Sequence, residues 1–212
     1  MSVHKEEEIA KNYIETFLPE LCNKGNFIIV DDLNDENNKA PDLQNELDDI
    51  GIEVTIAVPQ EEMRVKNTAF LKTSDEEFPN TISDDAWSEP HITKSGHRFL
   101  MGKYSSPDIY FNKQIKPLCE AVDKKLNKLN TTTNRKYFSN NGLFICNEMP
   151  LKNNERIEEI YNLIFKAQNE YQKAHPAHKI FDFVIISAQT IPDLMCYFDM
   201  HNKLNNRTIK RQ

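Results

Sequence analysis

From Glu6 to Leu21 the apolar residues Ile9, Tyr13, Ile14, Phe17, Leu18 and Leu21 recur at helical spacing, which predicts an amphipathic helix with one core face. Asn23-Lys24-Gly25-Asn26 ends it. Phe27-Ile28-Ile29-Val30 reads as a short strand, followed by a polar connection through Lys39. Asp42-Leu43-Gln44 is a second short segment, Glu46-Leu47-Asp48-Asp49 is turn-like, and residues 50–58 form a strong strand closed by Pro59. Two strands joined by so few polar residues imply an antiparallel hairpin that brings residues near 42 and 53 together.

Gln60 to Leu71 has helical composition with little apolar periodicity. Residues 73–107 hold Pro79, Pro90, Pro107, the single tryptophan Trp87 and an acidic stretch, which predicts an irregular insertion. Ile109 to Leu129 then reads as a helix with Ile115, Leu118, Cys119, Val122, Leu126 and Leu129 on one face and Lys113, Lys116, Lys124, Lys125 and Lys128 on the other. Asn140-Asn141-Gly142 turns the chain into the strand Leu143–Cys146. A helix over 154–173 and a last strand over 180–186 follow. A strand–helix–strand crossover of this length predicts two parallel strands in one sheet. The tail after Tyr197 is polar and reads as frayed. At 212 residues the chain is expected to form one α/β domain spanning 1–212.

One position breaks the pattern. Glu53 is the only acid in the apolar strand Ile50-Gly51-Ile52-Glu53-Val54-Thr55-Ile56-Ala57-Val58, where an unpaired charge costs several kcal/mol unless a cation compensates it. A divalent metal is a natural compensator, and Asp42, following Pro41 on the adjacent strand, can supply a second ligand.

Composition narrows the chemistry. No apolar run reaches the ~18 residues a bilayer span needs, and Met1-Ser2-Val3-His4-Lys5-Glu6-Glu7-Glu8 is the opposite of a signal sequence, so a cytoplasmic location without membrane association is expected. Cys22, Cys119, Cys146 and Cys196 are far apart with no Cys-x-x-Cys pair, which argues against a zinc ribbon or redox motif and for buried free thiols. None of the five glycines makes a phosphate-cradling loop, and there is no Gly-x-Ser-x-Gly. His175-Pro176-Ala177-His178 sits at a proline-broken helix end without an acidic or cysteine neighbour, so it reads as a loop and not as a metal pair. Net charge is −7, but residues 1–100 carry −13 and residues 101–212 carry +6. A polyanion would be drawn to the second half.

The order helix, three strands with an acidic hairpin, helix, strand, helix, strand, with Pro41-Asp42 and then Glu53-Val54-Thr55, resembles the restriction-endonuclease-like PD-(D/E)xK nuclease superfamily. The resemblance implies a three-layer α/β/α core with a mixed central sheet, and hydrolysis of DNA phosphodiester bonds with Mg²⁺ or Mn²⁺. Asp42 and Glu53 then match the metal ligands, the main-chain carbonyl of Val54 is a further oxygen ligand, and Glu8 is the first-helix acid, with Glu15 in reserve. Hard oxygen donors of this kind suit a cation that activates water and neutralises charge on the reacting phosphate. The family's lysine is replaced by Thr55, which carries no charge to stabilise an attacking hydroxide. In some members a substitute arrives from a neighbouring element; Lys125 and Lys128, or Lys66 or Gln60 beyond the strand, are the candidates, with Lys125 placed in the catalytic set. Lys113, Lys116, Lys124 and Lys128 are assigned to nucleic-acid binding. His91 and His97 fall in the irregular segment. Homodimerisation follows from the resemblance, since cutting both strands takes two sites.

Three functions compete on these residues. The first is the metal-dependent DNA nuclease. The second is a nuclease-like fold that has lost catalysis and binds nucleic acid or a protein partner, favoured by the missing lysine and the overall acidity. The third is an interaction protein whose acidic first half imitates DNA. Against all three stands the plain reading, in which Asp42 caps a turn and Glu53 either points to solvent from an exposed strand face or pairs with one lysine of the 109–129 helix.

Overall fold

Alternation along the 50–57 strand sorts its side chains onto two faces, and both are covered. In the computed structural model, which describes residues 5–30, 40–57, 91–92, 98–99, 107–131, 136–147, 154–188 and 194–210, this strand is Ile50–Ala57. Numbered in chain order, the elements are α1 (Lys5–Phe17), β1 (Ile28–Ile29), β2 (Leu43–Asn45), β3 (Ile50–Ala57), β4 (His91–Ile92), β5 (Arg98–Phe99), α2 (Pro107–Thr131), β6 (Asn140–Asn147), α3 (Asn154–Ala174), β7 (Phe183–Ala188), β8 (Leu194–Asp199) and β9 (Arg207–Lys210). A 3-10 turn, Pro19–Cys22, follows α1.

Seven strands form one mixed sheet in the order β1-β2-β3-β6-β7-β8-β9. The centre is parallel: β3 pairs with β6 and β6 with β7. The flanks are antiparallel, β1 and β2 on one side and β8 and β9 on the other. Ile52 and Val54 of β3 pack with Phe144, Ile185 and Met195 beneath Ala10 and Ile14 of α1. On the opposite face Leu143, Ile145, Val184 and Ile186 pack beneath Leu118, Val122 and Leu126 of α2 and Ile160 and Ile164 of α3. The central strands are therefore buried on both faces, as parallel strands are, and each large apolar side chain so buried contributes ~1.5–3 kcal/mol.

The predicted hairpin is present. Leu43 lies opposite Ile52 and Asn45 opposite Ile50, so continuing the register sets Asp42 opposite Glu53. Its turn, 46–49, ends on Asp49 in the left-handed region (φ 55°), a conformation an Asp tolerates better than most residues. The Asp49 carboxylate accepts the Ser139 side-chain hydroxyl and, at 3.1 Å, the Ser139 backbone N–H. These bonds, the hydroxyl's foremost, hold Asp49 below its ordinary pKa. The neighbouring Asp48 accepts the backbone N–H of Lys24 at 2.9 Å and of Gly25 at 3.3 Å and the Asn45 amide at 2.8 Å. Its pKa is also lowered, with the Lys24 N–H the first cause. The hairpin is thus tied at its base to the segment after α1 and to the segment before β6.

Two expectations are corrected. The sheet does not end at 180–186: the last parallel strand begins at Phe183, because the Phe181 N–H donates instead to Gln168 Oε1 of α3 at 2.7 Å, and two more strands follow. The tail is not frayed over 207–210, where β9 pairs with β8 from Tyr197↔Arg207 to Leu194↔Lys210. The segment 73–107, read as irregular, contains the paired dipeptides β4 and β5 and the first residue of α2. The rest of that segment and the helical composition noted over 60–71 lie outside the described residues.

The expectation of buried free thiols holds for Cys146 and Cys196, whereas Cys22 and Cys119 are half-buried; all four are free. Burial pushes Cys146 up to about 12, with Glu6 and Glu7 adding to it, and Cys196 to about 11. Among the described residues, no helix is long and apolar enough to cross a membrane.

Candidate functional site: two carboxylates under two lysines

Glu53 points to the α2 face of the sheet, as its neighbours Ile52 and Val54 belong to the α1 face. Its side chain is 1% exposed. Asp42, just before β2 and opposite it, is held by the Val54 N–H, which donates to Oδ2 at 2.6 Å. The hairpin therefore places two carboxylates side by side and fixes one of them through the backbone of the strand that carries the other.

α2 supplies the compensating charge. Lys125 and Lys128 are three residues apart and so share a helix face. Lys125 Nζ lies 3.0 Å from Asp42 Oδ2 and 2.7 Å from Glu53 Oε2. Lys128 Nζ lies 3.3 Å from Asp42 Oδ1 and 2.9 Å from the same Glu53 oxygen. The four side chains form a cluster of two lysines and two carboxylates, shielded most at Glu53 and least at Lys128, which is 28% exposed. The two bonds to Glu53, at 2.7 and 2.9 Å, fall in the short, charge-assisted range that makes strong hydrogen bonds, and the two to Asp42 are longer.

Not every residue assigned from the sequence joins this cluster. Thr55 lies two residues beyond Glu53 on the same strand face, half-buried, and brings no charge. Lys113, Lys116 and Lys124 are exposed on α2, Lys116 beside Glu120 at 3.7 Å. Lys128, assigned with them to nucleic acid, instead turns onto the carboxylates. The first-helix acid is corrected: Glu8 is exposed, and α1 covers the sheet face opposite the one Glu53 uses. Glu15, the reserve, accepts the Phe27 N–H at 3.0 Å and thereby anchors the chain entering β1. Lys66, Gln60 and His97 lie outside the described residues, and His91 is known only as the partner of Phe99 in the β4–β5 pair. His175 and His178 stack on each other at the end of α3, with the Tyr171 hydroxyl 3.1 Å from His178 Nδ1, as a loop reading expects.

Among the described residues no three His, Cys, Asp or Glu side chains converge as a metal-binding group. What converges is two carboxylates and a backbone edge. The Val54 N–H faces Asp42, and in an extended strand the carbonyl of the same residue points to the same side, so the Val54 carbonyl faces the Asp42 side as well. Two carboxylates and one carbonyl are hard oxygen donors that suit Mg²⁺ or Mn²⁺, a cation that keeps several of its waters. The donor set fits such an ion once ammonium is moved off part of it. No family model, no curated protein and no solved structure matches this chain.

Proposed function

We propose that this protein is a divalent-cation-dependent nuclease that hydrolyses DNA phosphodiester bonds on a restriction-endonuclease-like core. One observation carries the reading: Lys125 bonds both Asp42 and Glu53, at a site where Thr55 leaves the strand without its own cation. The order of elements and the antiparallel hairpin that sets Asp42 opposite Glu53 support it.

In this reading Asp42, Glu53 and the Val54 carbonyl would hold the ion, which when bound would supply an acidified water and neutralise charge on the phosphate. Asp42 keeps its orientation because the Val54 N–H holds Oδ2. Glu53 keeps its position because it stands on the central strand β3, and the Lys125 and Lys128 ammoniums offset the cost of burying its carboxylate. Lys125, arriving from α2, is the group that holds the attacking oxygen as hydroxide and offsets charge built up in the transition state. Lys113, Lys116 and Lys124 form the outer contact with the DNA backbone, which makes binding salt-dependent.

The test is cleavage of supercoiled plasmid in Mg²⁺ or Mn²⁺ by wild type, Asp42→Ala, Glu53→Ala and Lys125→Met. Cleavage by wild type and its loss in all three variants is expected. Equal activity in all four, or none in any despite tight metal binding, refutes the reading.

The pairing of two lysines with two carboxylates in this cluster favours a second reading, a nuclease-like domain that binds nucleic acid or protein without catalysis. Salt-dependent DNA binding that persists in EDTA, with no cleavage in any divalent cation, would decide for it.

A further inference from the structure

Resting on the proposed metal site, we infer that Lys128 is a displaceable counter-ion that holds the cation position and governs how tightly a divalent metal binds. Two ammonium nitrogens sit on one oxygen, Glu53 Oε2, at 2.7 and 2.9 Å. A metal ligated by that oxygen would stand at roughly 2.1 Å from it, too close for both ammoniums to stay. One of them must leave, and the contacts identify which.

Lys125 shares Asp42 Oδ2 with the Val54 N–H, so it belongs to the arrangement that fixes the carboxylate. Lys128 takes the other oxygen, Oδ1, and does so at 3.3 Å, the longest bond of the cluster. It is also the more exposed lysine, 28% against 12%. Its departure releases Oδ1 for a cation while Oδ2 stays where Val54 holds it, and the pocket need not reorganise. Along α2, Lys128 lies one turn beyond exposed Lys124, so its ammonium leaves towards solvent on the lysine-bearing face. The two carboxylates are in this way neutralised before metal arrives, and the apparent metal affinity is lowered by the free energy of breaking the Lys128 contacts.

Two measurements on the full chain test this. The first is lysine acetylation by an N-hydroxysuccinimide ester with mass-spectrometric readout, with and without Mn²⁺. Acetylation of Lys128 is expected to rise at least threefold with Mn²⁺, while that of Lys125 stays low. The second is Mn²⁺ affinity by isothermal titration, in which K128M is expected to bind at least tenfold more tightly than wild type. Binding by K128M alone would also support the inference. Mn²⁺ binding that leaves Lys128 reactivity unchanged, or that exposes Lys125 instead, overturns it with the metal site intact. Absence of Mn²⁺ binding in both proteins overturns the metal site itself, and the inference with it. The acetylation is done on wild type, so it does not depend on how the variant folds.

Discussion

Removing the two lysines one at a time and together is expected to be strongly non-additive, because both serve one buried carboxylate. Glu53 is 1% exposed and Lys125 12%, so the pair belongs with buried ion pairs, where loss of one partner costs ~3–5 kcal/mol. In Lys125→Met, Lys128 still lies 2.9 Å from Glu53, and the loss is expected nearer ~2–3 kcal/mol. In Lys128→Met, where 28% exposure screens the contact, ~1–2 kcal/mol is expected. The double variant takes both ammonium groups off Glu53, and its cost should exceed the sum of the singles by at least ~1 kcal/mol. Against a total stability of ~5–15 kcal/mol, that brings the protein close to unfolding. Adding Glu53→Gln to the double variant removes the more buried of the two carboxylate charges and should recover part of the loss. Urea unfolding followed by circular dichroism measures all five proteins, with unchanged m-values as the condition for comparing them. Costs that add, each below ~0.5 kcal/mol, would mean that these are solvent-screened surface pairs, and the argument from a buried carboxylate would fail.

Thr55 shares a strand face with Glu53, so Thr55→Lys in the Lys125→Met background should restore plasmid cleavage at least ~10-fold over Lys125→Met alone, in line with one electrostatic contact of ~1.4 kcal/mol; no recovery would show that Lys125 does not act as the strand lysine would. Gly142→Ala should destabilise by ~1–3 kcal/mol in urea unfolding, since a Cβ there meets the Phe183 ring and Ile52; a neutral result would show that the two strands can spread. Ellman's reagent should leave Cys146 and Cys196 unmodified in the native protein at pH 8, because burial raises both thiols, to about 12 and about 11. A pKa higher folded than unfolded means that the native state binds more protons between the two values, so the Cys146 contribution to stability is intact below pH ~9 and falls as pH rises towards ~12. Replacing Cys146 by alanine should flatten that loss, and an unchanged pH profile would contradict the burial argument.

Much of this fold is legible as periodicity. The 3.6-residue spacing of α1, α2 and α3 and the β-branched runs of β3, β6 and β7 mark these elements, because the helices must be apolar on one face and the central strands on both. β8 and β9 escaped because their pattern is weaker. Leu194–Asp199 is as long as β7 but has none of its β-branched residues and ends on an acid, while Arg207–Lys210 is a polar edge strand whose charges suit an outer position and whose pairing with β8 alone makes it regular. The hairpin register was legible because a four-residue turn leaves little freedom over which residues face each other. It placed Asp42 by Glu53, but it did not reveal the Val54 N–H that fixes Asp42.

The lysines show a different limit. Their i, i+3 spacing on α2 is visible in the sequence, yet that helix carries five lysines and spacing alone does not say which face the sheet. Burial of Leu118, Val122, Leu126 and Leu129 settles the rotation of the helix, and only then do Lys125 and Lys128 fall over the carboxylates. Glu8 failed for the corresponding reason: its place in an amphipathic helix was legible, but not which side of the sheet that helix would cover.

The most direct test of the account is the anomalous difference map of crystals of the wild-type protein soaked in Mn²⁺. One peak is expected at roughly 2.1–2.2 Å from an oxygen of Asp42 and an oxygen of Glu53, facing the Val54 carbonyl, with Lys125 retained and Lys128 turned away. A map with no peak there, and both ammoniums still on Asp42 and Glu53 at saturating Mn²⁺, would contradict it.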